Sequence, residues 1–177
     1  MPADSVHTLS LLWEDQGPAQ AAEVMNRIKN RQIDMNEGFK ITEATRRALD
    51  AMAELEIDTI YDAESGDFIF TYNLVEMVVL ATKEEGGVCL SAEFVMDKYM
   101  DTIAELWVDV LNKNGGGFVL SEPFPRVGRI SKEWLIDWEK PLPAEELEAM
   151  LDVMVAACGT VADNLMNLRV PEVDDYN

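Results

Sequence analysis

The chain is poor in the residues on which most enzymatic chemistry depends. Its 177 residues include one histidine, His7, and two cysteines, Cys89 and Cys158. A Ser–His–Asp or Cys–His site needs a histidine as its base, and His7 lies in a weakly patterned leader. A zinc site needs Cys or His ligands in close pairs, whereas the two cysteines are single and far apart. The composition therefore predicts no catalytic site, no metal site and no cofactor.

Basic residues are also scarce, with 14 Lys and Arg against 34 Asp and Glu and a net charge of −20. A surface this negative repels phosphate backbones and anionic lipids, so we expect neither nucleic acid nor membrane as a partner. GxGxxG and GxxxxGK[ST] loops are missing, and the glycines at 115–117 indicate the end of a helix. With 34 acids, pairs of carboxylates arise by chance, so we prefer solvated acids over a two-acid hydrolase site.

The few basic residues are unevenly placed, because six of the 14 fall between Arg27 and Arg47. That window also holds three acids and has a net charge of +3. One interpretation is a solvated helix face, which is the usual role of a charge run. The other is an arm that docks on the acidic body of its own or a partner subunit. Nucleic-acid binding through this window is a further, weaker alternative.

No apolar run approaches the length that spans a membrane, and the N-terminal residues lack the basic start of a signal peptide. Cys89 and Cys158 sit within apolar patterns, which is typical of buried free thiols in a reducing compartment. Hydrophobic residues make up 48% of the chain, an ordinary value for a globular protein. We therefore expect a soluble, cytoplasmic protein.

By pattern the chain divides into three parts. A poorly patterned leader occupies residues 1–18, one α+β domain occupies residues 19–168, and an acidic tail occupies residues 169–177. The leader and the tail carry too few patterned apolar residues to pack firmly, so we expect both to be loose. No internal repeat occurs, and the length suits a single domain.

Within the domain, helical and strand patterns alternate. Apolar residues at helical spacing predict a helix at 19–33, and Thr42 is placed to cap a second helix. Alternating residues at 68–72 and two apolar runs around the turn KEEGG predict antiparallel strands. We therefore predict an antiparallel sheet of about five strands in the order helix-β-β-β-helix-β-β-helix, with an extra N-terminal helix.

The helix predicted at residues 96–112 has an unusually wide apolar side. Its apolar arc covers roughly 220°, whereas a helix that packs on one side needs a stripe of roughly 100°. The excess predicts a second burial surface, most simply a subunit interface. The alternative is a helix that is sunk deep within a monomer.

The clearest pattern is that of residues 128–165, which read GRISKEWLIDWEKPLPAEELEAMLDVMVAACGTVADNL. Ile130, Trp134 and Trp138 alternate with charged residues, which predicts a half-buried strand. The Pro-Leu-Pro corner ends that strand, and three glutamates follow in the first turn of a long amphipathic helix, where the helix dipole favours them. Leu135 is the one apolar residue on the charged side of the strand.

This unit, with the order of elements over residues 38–168, resembles the type III secretion chaperone-like superfamily. It is similar to the last strand, turn and closing helix of that superfamily, which includes the class I secretion chaperones and the YbjN-like bacterial sensory-transduction regulators. The resemblance implies a non-catalytic, homodimeric α+β module that binds an extended segment of a partner polypeptide. The alternative is a YbjN-like regulatory protein that acts on signalling partners, not secreted cargo.

Mapped onto this chain, the resemblance implies a partner-binding surface made of surplus apolar residues on the outer face of the sheet. These residues are Val78, Leu80, Val119 and Leu135. The wide helix would form the homodimer through Ala104, Leu106 and Val108.

Overall fold

The computed structural model describes residues 41–97 and 99–177. The predicted leader at 1–18 and the predicted helix at 19–33 lie outside these residues. Three α-helices are present in the described chain, α1 (Glu43–Glu54), α2 (Asp101–Asn112) and α3 (Ala144–Met166), followed by a short 3₁₀ helix (Val173–Tyr176). The six strands are β1 (Ile60–Asp62), β2 (Asp67–Tyr72), β3 (Val75–Leu80), β4 (Gly87–Val95), β5 (Val119–Phe124) and β6 (Val127–Leu135).

The strands form one antiparallel sheet in the order β1-β2-β3-β4-β6-β5. The predicted α+β class is confirmed. The sheet has six strands and not about five, because the three residues Ile60–Asp62 pair with β2, so four strands precede α2. Thr42 caps α1 as predicted, since its hydroxyl oxygen accepts a hydrogen bond from the Thr45 amide at 3.2 Å.

The core lies between one face of the sheet and the three helices. Alternate residues of β4, such as Val88, Leu90 and Ala92, are fully buried on this face, as strand alternation requires. Leu151 and Met154 of α3 are buried against them. Each of the Val, Leu and Met side chains stabilises the fold by about 1.5–3 kcal/mol through removal of its apolar surface from water.

Helix α3 is 23 residues long and apolar enough, by length and composition alone, to cross a membrane. The expectation that no apolar run reaches that length was therefore wrong. In this fold α3 is the central core helix, with seven residues buried along its length. Glu145 and Glu146 lie in its first turn and Asp163 near its end. A buried helix passes the same length test as a membrane helix, because both must be apolar on more than one side.

Helix α2 begins at Asp101, not at residue 96, because β4 stays paired with β6 as far as Val95. Ala104 and Val108 are 0% and 6% exposed and belong to the core. The single chain already buries these two residues, while their predicted place in a dimer interface stays a prediction. Leu106 remains partly exposed.

The tail supplies part of the second surface that the wide apolar side of α2 requires. The Trp107 indole N–H donates a hydrogen bond to the Arg169 carbonyl at 2.8 Å, and the Arg169 guanidinium lies 4.9 Å from the centre of the indole ring. Arg169 also pairs with Asp175 at 2.8 Å, and Lys113 donates to the Asp175 carbonyl. The tail that was expected to be loose is thus held against α2.

Two glycines allow a matched test of how tightly the sheet and α3 are packed. A methyl group at Gly128 in β6 would overlap the Phe94 ring, whereas one at Gly159 in α3 would meet nothing within 4 Å. We expect Gly128→Ala to lower the free energy of unfolding by about 1–3 kcal/mol through overpacking. Gly159→Ala should raise it by up to about 1 kcal/mol through helix propensity. Urea denaturation measures both changes, and equal effects would contradict the packing described.

Candidate protein-binding surfaces

The sheet has a second face, here called the outer face, that points away from the three helices. Side chains that alternate with the core residues lie on it, and the pairing registers align them in rows across the strands. In the central row the neighbours are Ile69 of β2, Val78 of β3, Ser91 of β4, Ser131 of β6 and Val119 of β5. None of these five residues is in the core cluster between the sheet and the helices.

All four residues that the sequence predicted for partner binding lie on the outer face, but they differ in exposure. Val119 is 59% exposed and Leu135 is 76% exposed, so both can contact a partner. Leu80 is partly buried. Val78 is only 2% exposed, so it is not available to a partner in this structure. The available apolar surface therefore lies on the β6–β5 side of the face.

The outer face is acidic around a partly buried ion pair. Arg129 donates to Glu93 across β6 and β4 at 2.8 Å, and the two side chains are 15% and 14% exposed. The Arg129 Nε atom is buried and has no hydrogen-bond partner. Burial raises the pKa of the Asp67 carboxyl above its usual value. Burial and the nearby Glu93 together raise the pKa of Glu76.

The two cysteines are unsuited to nucleophilic chemistry. Burial, together with nearby acids, raises the pKa of both the Cys89 and the Cys158 thiol to about 11. Because the thiolate is the reactive form, both thiols are almost wholly protonated near pH 7. Among residues 41–97 and 99–177, no group of three His, Cys, Asp or Glu side chains is arranged to hold a metal ion.

Strand β5 is one edge of the sheet within the described chain, and its beginning is well exposed. Val119 and Ser121 lie on the outer side, where Val119 pairs with Ser131 and Ser121 with Arg129. The register shifts between Ser121 and Phe124, and Pro123 has no amide hydrogen to donate. An added strand could therefore pair with the first residues of β5, but not with its end. At the other edge, β1 has only three residues.

An apolar groove that the sequence did not predict lies at the end of the sheet where β4 stops. It has a volume of about 340 Å³ and is lined by Val95, Met100, Leu165 and Met166, with Asp97 and Arg126 at its rim. Val95 and Met166 are largely exposed. In the sequence, these two residues could have been recognised because each is apolar but falls outside the buried apolar side of its element, β4 for Val95 and α3 for Met166.

No protein-family model and no curated protein matches the sequence. Among solved structures, the fold is similar to that of YbjN from E. coli, for which a role in transcription regulation has been suggested. The TM-score is 0.49, and the identity is 9% over 71% of this chain and 92% of that chain. It is also similar to a chain of the HopA1–SchA chaperone–effector complex, with a TM-score of 0.40 and 14% identity over 68% of this chain and 88% of that chain. These are the two kinds of protein that the sequence resembles, and the likeness is one of fold.

The Glu93–Arg129 pair allows a test of how far the outer face is shielded from water. Arg129→Met would leave the Glu93 carboxylate without its partner. We expect the free energy of unfolding to fall by about 2–4 kcal/mol, because an unpaired charge in a largely buried position is costly. Adding Glu93→Gln should restore much of the loss. Urea denaturation measures both, and a change below about 0.5 kcal/mol, as for an exposed pair, would show that water reaches the pair freely.

Proposed function

We propose that the chain is a non-catalytic polypeptide-binding module that holds an extended partner segment on the β6–β5 side of its outer sheet face. The observation that carries the proposal is the exposure of Val119 and Leu135 on the same face, beside the open start of β5. Single exposed apolar residues are common on any protein. Two on one face, next to a strand edge that no described strand pairs with, make a surface suited to an extended chain.

Strand addition explains how such a surface would bind a segment of variable sequence. The main chain of the partner pairs with the first residues of β5, which supplies hydrogen bonds that do not depend on side chains. Alternate side chains of the added strand then face the same way as Val119, because the side-chain period of a strand is two residues. Leu135, on the neighbouring strand β6, extends the apolar surface beyond the start of β5.

The net charge of −20 favours a partner segment that is basic or neutral, because an acidic segment or a phosphate backbone would be repelled. On this ground we propose a protein or peptide partner, with no role for nucleic acid or membrane. We also propose a cytoplasmic location. The resemblance supports both a chaperone and a YbjN-like regulator, and the proposed surface would serve either one. The genes beside this one separate them, since a chaperone of secretion is encoded near an effector or a secretion apparatus.

A peptide-display selection against the purified chain, followed by affinity measurements, tests the surface. Leu135→Asp should weaken the selected extended peptides at least about tenfold, because a charge replaces a central apolar contact. Leu74→Asp is the matched control, since Leu74 is almost fully exposed in the turn between β2 and β3. It should leave binding unchanged. Selected peptides that bind wild type and Leu135→Asp equally, or the absence of any binding peptide, would overturn the proposed surface.

We also propose that the chain acts as a homodimer, now through the partly exposed Leu106 and not through Ala104 or Val108. Sedimentation at tens of micromolar should give a dimer, and Leu106→Asp should weaken it at least about tenfold. Val153→Asp on α3, where Val153 is also partly exposed, is the control and should leave the dimer intact. A wild-type protein that stays monomeric at this concentration would contradict the proposal.

A further inference from the structure

Part of the outer face is enclosed although no described element packs on it. Ser91 is 0% exposed and Val78 2% exposed, and neither belongs to the core cluster beneath the helices. The Glu93–Arg129 pair beside them is also largely shielded. An open sheet face leaves its side chains in contact with water, as Val119 and Leu135 are at the other side of this same face. Something therefore belongs over the enclosed part.

The outer face around the enclosed part is acidic, with Asp67 and Glu93 partly buried and Glu76 and Glu133 exposed. Asp67, Glu76, Glu93 and Glu133 carry four carboxylates on the outer side of β2, β3, β4 and β6, and Arg129 is the one base among them within the described chain. These acids outnumber Arg129, so a covering segment with basic groups would balance their charge, and its apolar side would fit Val78. The buried Nε–H of Arg129 has no partner, and a carbonyl oxygen of a covering segment would supply the acceptor that it lacks.

The described chain begins at the end of the sheet that carries the β3–β4 turn. The Thr42 hydroxyl lies 3.4 Å from that of Thr82, and the Ala44 amide donates to the Glu85 carbonyl at 3.0 Å. Residue 41 is thus fixed at the β3–β4 turn, at the end of the sheet where Leu80 lies. The 40 residues that precede it are outside the described chain.

One stretch of those 40 residues has the required chemistry. Residues 19–33 carry Val24 and Ile28 at helical spacing, with Arg27, Lys29 and Arg31 beside them. Residues 34–40 connect this stretch to residue 41 and span up to about 23 Å when extended. Six strands at about 4.8 Å spacing make the sheet about 24 Å wide. The connection is therefore long enough for the stretch to reach the enclosed part.

We propose that residues 19–33 dock on the outer face of their own chain, with the apolar side on Val78 and the basic residues against the surrounding carboxylates. This arm covers the β2–β4 part of the face and leaves Val119 and Leu135 free. It therefore divides the face into a part that the chain itself occupies and a part open to a partner. The proposal does not depend on the proposed function, since peptide binding at Leu135 and docking of the arm are measured separately.

Zero-length carbodiimide cross-linking of the full-length chain tests the position of the arm. The amine of Lys29 should form amide bonds with Asp67, Glu76 or Glu133, found by peptide mass spectrometry in the monomer band. Cross-links confined to a dimer band would show that a second copy supplies the arm, and would overturn docking within one chain. Cross-links of Lys29 to acids on the helix side, such as Asp152 or Glu148, would overturn the proposed face.

Cys89 provides a second, independent measurement, because it lies on the outer face between Leu80 and Glu133. Arg27→Glu with Arg31→Glu should increase the alkylation rate of Cys89 by iodoacetamide about fivefold, the change expected for the loss of two surface ion pairs. The matched control, Arg46→Glu on α1 with Lys140→Glu, makes the same change in net charge off the outer face and should leave the rate unchanged. The buried Cys158 reports general unfolding in the same digest. An unchanged Cys89 rate, or equal acceleration by the control pair, would overturn the proposal.

Discussion

The contact between α3 and the centre of the sheet is the constraint on which the rest of the structure depends. Leu147, Leu151 and Met154 are fully buried along this helix, and α1 and α2 both pack beside it. Because one long apolar helix serves as the common partner, all three described helices share one side of the sheet. The fold therefore has two layers. The described helices do not cover the second face of the sheet, so other features must limit its contact with water.

The extent to which water reaches the outer face differs from one part of it to another. On the β4–β6 strands a charge pair is shielded from water, which is costly unless the pair is well satisfied. Toward β5 the face carries isolated apolar side chains and an edge shortened by Pro123 and an irregular register. Such an edge resists uncontrolled pairing along its whole length while leaving its first residues open. The same face can therefore exclude water at its middle and allow strand pairing at only one part of its edge.

The sequence predicted the elements whose signals are local. The Thr42 cap, the acidic first turn of α3 and the alternation in β2 each depend on neighbouring residues, and each is present. Burial depends on residues distant in the chain, so the sequence alone did not show that Val78 and Ala104 are buried. The tail was misjudged for the same reason, since its order comes from Trp107, 62 residues away from Arg169. The groove beside Val95 forms where three separate elements meet, so no short pattern could reveal it.

The strong acidity of the chain constrains any partner more than its apolar surface does. Long-range repulsion acts before contact, so an acidic segment is slowed in its approach even if its apolar residues match Val119 and Leu135. A basic segment gains from the same field, but it must compete with any basic residues that the chain already holds on the face. With the proposed binding mode, apolar contact at β5 would then determine how long the segment stays, because dissociation depends on short-range packing. Charge would thus select partners by class, while the exposed apolar residues set affinity among them.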